Sequence, residues 1–204
     1  EDYLLYIAAL KGIRPVAAKK RVKELIAKVG LSKVANKKMK KLSGGMKRRA
    51  GIAQAMLNNP KILILDEPTA GLDPNERIRF RNLISELSED RLVLLSTHIV
   101  SDIEYIANEI LLMKDGKLMH KGTADEIINS MTETVWECFV EKNMVSDFMK
   151  KYKISNMKSE ADGVILRIIS HEKPFVNAQS VEASLEDVFL YYFGEKAGDE
   201  NAAI

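Results

Sequence analysis

The chain has 204 residues, enough for one large domain or two modest domains with a buried core. Hydrophobic residues make up 46% and charged residues 29%, an ordinary globular balance, and a net charge of +2 gives no global signal for binding nucleic acid. No apolar run approaches the ~20 residues that span a bilayer, so another chain would supply any membrane spans. The single cysteine, Cys138, has no partner for an internal disulfide, which fits a reducing compartment.

Residues 1–57 are predicted to be mainly helical. Pro15 suits the first position of a helix, and apolar residues follow at amphipathic spacing as far as Val29. Ser43 precedes a second predicted helix over residues 44–57 and suits its N-terminal cap. The basic stretch between residues 37 and 49 is interpreted as a solvated face.

Strands and helices alternate over residues 58–131. Two short apolar runs, residues 61–65 and 91–96, are predicted to be strands buried in a parallel sheet. The other predicted elements are a helix that starts at 73–74, a helix over 101–107, a hairpin with its turn at 115–116, and a helix over 123–128. This alternation predicts an α/β protein.

The pattern of apolar and polar residues changes after about residue 131, and residues 132–194 are predicted to form a small α+β accessory domain. Its expected elements are a strand over 134–140, a helix over 145–152, a hairpin around 162–163, and a final helix that opens with a capping-box-like pattern at 184–187. Residues 195–204 are polar and small, and we expect a mobile tail there.

One segment suits the binding of a phosphate group. Residues 42–46 read Leu-Ser-Gly-Gly-Met at the start of a predicted helix. Gly44 and Gly45 allow the backbone to approach a ligand closely, the helix N-terminus offers free N–H groups, and the Ser43 hydroxyl adds a donor. An ordinary capped turn is the structural alternative.

Two further segments end predicted strands in ionisable residues. The first strand ends in Asp66 and Glu67, at the sheet edge where α/β proteins bind ligands. Asp66 suits Mg²⁺, which prefers oxygen ligands, and Glu67 could polarise an attacking water. The second strand leads to His98, which could donate to a phosphate oxygen. Solvated acids and a structural histidine are the alternatives.

The order of these segments resembles the ATP-binding subunits of ABC transporters. The resemblance covers residues 42–98 and extends more loosely to about residue 128. The family's signature motif corresponds to Leu-Ser-Gly-Gly, and its Walker B strand corresponds to the strand with Asp-Glu-Pro. Its D-loop corresponds to Ala-Gly-Leu-Asp at 70–73, and its switch histidine to the histidine of Ser-Thr-His. It implies an α/β fold with a partial P-loop-type ABC ATPase core. That core would comprise a helical signature subdomain (1–57) and the parallel-sheet remainder (58–131), followed by the small α+β C-terminal domain.

The resemblance implies specific roles for the matching residues. In the family's pattern, Ser43, Gly44 and Gly45 contact the γ-phosphate of ATP held by the opposite subunit, Asp66 serves Mg²⁺, Glu67 serves the hydrolytic water, Asp73 communicates across the dimer, and His98 contacts the γ-phosphate. Met46 stands where the family often has Gln, a departure that bears on helix coupling rather than on phosphate contact.

The resemblance also implies cofactors, partners and a location. ATP and Mg²⁺ would be the cofactors, a second ATP-binding subunit would complete a head-to-tail dimer, and a membrane-spanning permease would be the other partner. We expect no nucleic-acid partner and a cytoplasmic location, peripheral at the inner face of the cell membrane. Residues 184–189 resemble the ending of bacterial multidrug-, bacteriocin- or lipid-type exporter subunits, with a plain amphipathic helix as the alternative.

The sequence contains no Walker A phosphate-binding loop, Gly-x-x-x-x-Gly-Lys-Ser/Thr; its one Gly-Lys pair, at 116–117, lies in the predicted hairpin. We therefore expect a fragment truncated upstream of the signature motif, inactive alone and binding nucleotide with millimolar affinity or worse. Two alternatives stay open. One is a soluble ABC-type ATPase of translation or DNA repair, and the other is a non-enzymatic chain that lends its signature motif to a complete partner.

Overall fold

The computed structural model describes residues 1–194, so the predicted mobile tail at 195–204 lies outside the described residues. The chain divides into two compact units, Glu1–Asp102 and a second that begins at Ile103. The finer boundaries at residues 57/58 and 131/132 stay predictions. Within the described part of the chain, no helix is both long and apolar enough to cross a membrane.

The first unit opens with a helical layer. Its helices are α1 (Asp2–Leu10), α2 (Pro15–Lys28) and α3 (Gly44–Ala55), with short 3₁₀ turns at Ser32–Val34, Met39–Lys41 and Met56–Asn58. Pro15 begins α2 and Ser43 caps α3, as predicted, with the Ser43 hydroxyl accepting the Met46 N–H at 3.3 Å. Helix α3 ends at Ala55, before the end of the predicted helix over 44–57, because its last turn tightens into the 3₁₀ turn at Met56–Asn58. Apolar side chains shared by the three helices form the core, among them Leu4, Ala8, Val22, Leu25, Ile52 and Ala53.

A two-stranded parallel sheet follows in the same unit. Strand β1 (Ile62–Asp66) pairs with β2 (Leu92–Ser96) in a register that places Asp66 opposite Ser96. Between them, α4 (Pro74–Ser88) begins at the predicted position and contacts β2, and α5 (Val100–Ile106) follows β2. Thus both predicted strands and their parallel pairing are confirmed.

The prediction that these strands are buried is wrong for one face of the sheet. Leu63 is only 2% exposed, whereas Ile62, Ile64, Leu92 and Leu94 are 57%, 70%, 62% and 48% exposed. Successive side chains of a strand point to opposite faces, so one covering layer protects only every second residue. Along β1 it is Leu63 that is protected, and the four exposed side chains form an open apolar face.

The second unit contains a hairpin and an antiparallel sheet. The hairpin pairs β3 (Ile110–Lys114) with β4 (Lys117–Gly122), and α6 (Ala124–Asn129) follows with a capping box between Thr123 and Glu126. The sheet has the strand order β6-β7-β5-β8. The strands of this sheet are β5 (Thr134–Val140), β6 (Lys153–Ser159), β7 (Val164–Ser170) and β8 (Gln179–Val181). The remaining described helices of the unit are α7 (Val145–Lys151) and α8 (Leu185–Phe193). Strand β8 was not predicted, because three residues are too few to show alternation.

One buried ion pair ties α8 to this sheet. The Arg167 guanidinium on β7 donates to both carboxylate oxygens of Asp187 at 2.8–3.1 Å and to Glu137 on β5 at 3.0 Å. Burial acts to raise the pKa of Asp187, but hydrogen bonds from Arg167, Ser155 and Ser184 outweigh it and hold that pKa below its ordinary value. The pair therefore fixes the start of the last helix on the sheet.

The core of the second unit also contains the only cysteine. Cys138 on β5 is 1% exposed and packs among Val140, Phe148, Leu166 and Ile168. Burial raises the pKa of its thiol. The side chain therefore serves as a small apolar core residue.

Candidate functional site

The predicted acid pair, Asp66 and Glu67, lies at the carboxyl end of β1, beside the carboxyl end of β2. The Ser96 hydroxyl at the end of β2 donates to Asp66 Oδ1 at the end of β1. The Glu67 N–H donates to the Ser96 carbonyl at 3.0 Å, which extends the pairing by one residue. Thus the two carboxylates lie at the sheet edge, where the sequence predicted them, and Ser96 is a contact of Asp66 that the sequence analysis did not assign.

The structure also brings His98 to the predicted hydrolytic acid. His98 Nδ1 lies 2.9 Å from Glu67 Oε1, and the two side chains are 67% and 39% exposed. The second carboxylate oxygen, Glu67 Oε2, is inaccessible to solvent and has no hydrogen-bond partner among the described residues. A carboxylate held against an imidazole at an open sheet edge can accept a proton from water while the ring binds an anion.

The start of α3 is a capped turn with one exposed and one buried glycine. Ser43 and Gly44 are exposed, and a Cβ on Gly44 would meet nothing within 4 Å. Gly45 is buried, and a Cβ there would lie 2.5 Å from Glu76 Oε2. Position 45 is therefore restricted to glycine by packing, while Gly44 leaves the helix N-terminus open.

Asp73 has a local role in the structure. Its Oδ1 accepts the Glu76 N–H at 2.9 Å and so caps α4, with Pro74 in the first turn. Its predicted role across a dimer stays a prediction.

Two arginines within the basic stretch have partners, so the solvated-face interpretation is wrong for them. Arg49 is 7% exposed, lies 3.0 Å from Glu76 Oε2 and donates to the Val29 carbonyl at 3.1 Å. Arg48 donates to the Glu67 carbonyl. The lysines at 37, 38, 40, 41 and 47 are exposed, as predicted. No sequence signal separates the paired arginines from the solvated lysines, because the difference depends on what α3 packs against.

The chain is similar to several known proteins. Residues 5–70 match the family model described as ABC transporter. The ABC transporter ATP-binding protein YxlF of Bacillus subtilis is 34% identical over 143 residues, 70% of this chain and 48% of that protein. Methionine import ATP-binding protein MetN 2 of Oceanobacillus iheyensis is 33% identical over 82% of this chain and 49% of that protein.

A solved structure is also similar. The structure of cbiO1 from Clostridium perfringens, described as part of the ABC transporter complex cbiONQ, is 29% identical with a TM-score of 0.57. The match covers 62% of this chain and 51% of that chain. The chain thus spans about half the length of each of these three relatives.

The fold is that of an α/β ABC ATPase core. The family match and the relatives show, more particularly, that the chain contains part of an ABC transporter nucleotide-binding domain. ATP binding and ATP hydrolysis are properties of that family.

Proposed function

We propose that this chain is the signature- and Walker B-containing part of an ATP-binding subunit that powers export through a separate membrane-spanning permease. The observation that carries the proposal is the contact between Glu67 and His98 beside Asp66, in the same unit as the Ser43–Gly45 turn. Since the chain spans about half of its relatives and contains no Walker A loop, we propose that this loop lies outside the 204 residues.

The acids fit a magnesium-dependent hydrolysis. Mg²⁺ in phosphoryl-transfer sites is held by one or two carboxylates together with phosphate oxygens and water, so Asp66 is a sufficient protein ligand. When bound, the ion would neutralise phosphate charge. Glu67 would then orient and polarise the attacking water, and His98 would donate to the γ-phosphate.

The signature turn would act on a neighbouring subunit's nucleotide. Gly44 and the Ser43 hydroxyl are exposed at the start of a 12-residue helix, which suits a phosphate that approaches from outside the chain. We propose that the partner is a second ATP-binding subunit arranged head to tail, with Asp73 communicating across the interface. The location would be cytoplasmic, at the inner face of the membrane beside the permease.

Export is the proposed direction of transport. It rests on the resemblance of residues 184–189 to exporter subunits, and in the structure these residues include the capped start of α8. The relative MetN 2 is described as an import protein, so the ATPase core alone does not set the direction. Uptake assays in vesicles containing the full transporter would decide the direction.

The hydrolytic assignment is tested by Glu67→Gln in the complete transporter that contains this sequence. Glutamine keeps the size of the side chain but removes the carboxylate that polarises water, so we expect ATP turnover to fall at least about 100-fold while ATP still binds. Lys47→Met, which removes an exposed charge from α3, is the control and should keep normal turnover. Normal turnover in the Glu67→Gln protein would contradict the assignment.

The isolated 204-residue chain provides a second test. Without the Lys and the nest of N–H groups of a Walker A loop, several charge-assisted hydrogen bonds to phosphate are absent. We expect ATP affinity in the millimolar range or weaker in a calorimetric titration. Micromolar binding would show that this chain binds nucleotide by another route.

A further inference from the structure

Glu67 adopts a backbone conformation that glutamate rarely takes. Its φ is +42°, in the left-handed region where a Cβ is unfavourable, so its surroundings must offset the strain. Register pairing between β1 and β2 ends one residue earlier, at Asp66 and Ser96. Apart from the N–H bond to Ser96, the turn at Glu67 therefore depends on hydrogen bonds from outside the strand ladder.

Four hydrogen bonds from three donors hold this turn, and one of them joins the Glu67 N–H to the Ser96 hydroxyl oxygen at 3.4 Å. The Glu67 N–H donates to the Ser96 carbonyl at 3.0 Å, and the Ala70 N–H donates to the Glu67 carbonyl at 3.4 Å, a long bond. The third donor is the charged guanidinium of Arg48, which reaches the same carbonyl. A charged donor forms a stronger bond than a neutral one, so Arg48 supplies the dominant restraint on the carbonyl.

The backbone of Glu67 sets the direction of its Cα–Cβ bond, from which the side chain reaches His98. One oxygen contacts His98 Nδ1 at 2.9 Å, and the other is enclosed without a partner. A rotation of φ from +42° towards ordinary negative values would redirect Cβ and change the position of the carboxylate relative to His98. Hence a hydrogen bond to the main chain sets the position of the side chain.

We propose that Arg48 is a positioning residue, which by holding the Glu67 carbonyl keeps the left-handed turn and aims the carboxylate at His98. This inference rests on the proposed function, since it takes Glu67 as the hydrolytic acid. Arg48 lies on α3, the helix that begins at the Ser43–Gly45 turn, so one side chain joins the signature helix to the acid.

The first test needs no nucleotide and uses NMR of the isotope-labelled chain. In Arg48→Met, we expect the Glu67 amide to exchange with solvent roughly tenfold faster or more, and its Cα shift to move towards ordinary backbone values. Amides of Ile52 and Ala53 within α3 should be unchanged. Arg48→Lys should restore part of the effect, and Lys47→Met is the matched control. An unchanged Glu67 signal in Arg48→Met, or the same change in Lys47→Met, overturns the inference.

A thermodynamic cycle covers the case in which Arg48→Met is poorly folded. Glycine adopts positive φ without strain, so Glu67→Gly removes the need for the restraint. We expect Arg48→Met to lower the urea midpoint less in the Glu67→Gly background than in the natural one. Equal losses in both backgrounds would overturn the proposal.

Steady-state kinetics of the complete transporter separate this inference from the proposed function. Arg48→Met should lower kcat roughly tenfold or more with little change in KM, with partial rescue by Arg48→Lys. If Glu67→Gln abolishes turnover but Arg48→Met leaves kcat unchanged, the positioning role fails while the proposed function stands. If Glu67→Gln itself retains turnover, the proposed function fails whatever the NMR result.

Discussion

Gly45 shows how one residue can serve two requirements. A Cβ on this residue would lie 2.5 Å from Glu76 Oε2, and Glu76 is itself held by Arg49 at 3.0 Å and Arg79 at 2.9 Å. The sequence suggested glycine for close approach of a ligand, whereas the structure adds an internal reason. Gly44, one residue earlier, has open space and is the position at which ligand approach alone would require glycine.

Gly45→Ala is expected to lower the free energy of unfolding by about 1–3 kcal/mol, because the new methyl group displaces a carboxylate that two arginines hold. Urea denaturation followed by circular dichroism measures the loss. Gly44→Ala is the matched control, and should leave stability unchanged or raise it by at most ~1 kcal/mol through better helix propensity. Equal losses in both variants would contradict the packing argument.

Helix starts were the most predictable elements, since their signals are local. The structure confirms the predicted helix starts at Pro15, Ser43, Asp73, Thr123 and Ser184. All of these residues except Pro15 cap their helix by accepting a backbone N–H. Strand burial was less predictable. An apolar run indicates a strand, but whether both faces are covered depends on layers that the run itself does not encode.

The contribution of the Asp73 cap to α4 can be separated from that of the Asp73 charge. Asp73→Ala removes the acceptor for the Glu76 N–H and should cost about 1 kcal/mol of stability. Asp73→Ser keeps a capping oxygen without the charge, so stability should stay close to normal. Thermal unfolding of the chain compares the two. If the serine variant is as unstable as the alanine variant, the charge rather than the cap stabilises α4.

The ion pair between β7 and α8 gives a pH dependence. The pKa of Asp187 is lower in the folded chain than its ordinary value of 3.8, so the unfolded chain binds more protons in that range. The stability that the Asp187 carboxylate contributes should therefore be fully present above pH ~4. It should be lost as the pH falls through the pKa of Asp187 in the folded chain. Asp187→Asn should cost about 2–3 kcal/mol near neutral pH and flatten the acid dependence. Urea titrations at several pH values check both.

At the scale of the whole molecule, the fold class and the strand-end acids could be predicted from the sequence. Parallel strands bring their carboxyl ends to one edge of the sheet, which is where the predicted strand ends place Asp66, Glu67 and His98, and the structure adds the contact between Glu67 and His98. The contact of Arg48 with Glu67 could not be predicted, because it joins residues 19 positions apart through the packing of α3 against the end of β1. The pattern of charges along a sequence shows where an arginine lies, but it does not predict which group the arginine will contact.

The open apolar face of the β1–β2 sheet predicts self-association of the 204-residue chain. Ile62, Ile64, Leu92 and Leu94 are 48–70% exposed on neighbouring strands, and contiguous apolar surface favours association. Sedimentation velocity at increasing concentration should show oligomers. Replacing Ile64 and Leu94 by Thr, which keeps strand propensity, should shift the distribution to monomer. Val16→Thr, at an isolated position that is 86% exposed, is the control and should change nothing.

The enclosed thiol of Cys138 has a practical consequence for studying assembly. Its 1% exposure and raised pKa make it a slow nucleophile towards maleimide and methanethiosulfonate reagents at neutral pH. A cysteine introduced at an exposed position can then carry a spin label or fluorophore in the natural background, with the native thiol left in place. Distances between such labels in two subunits would report the proposed head-to-tail arrangement without altering the core of the second unit.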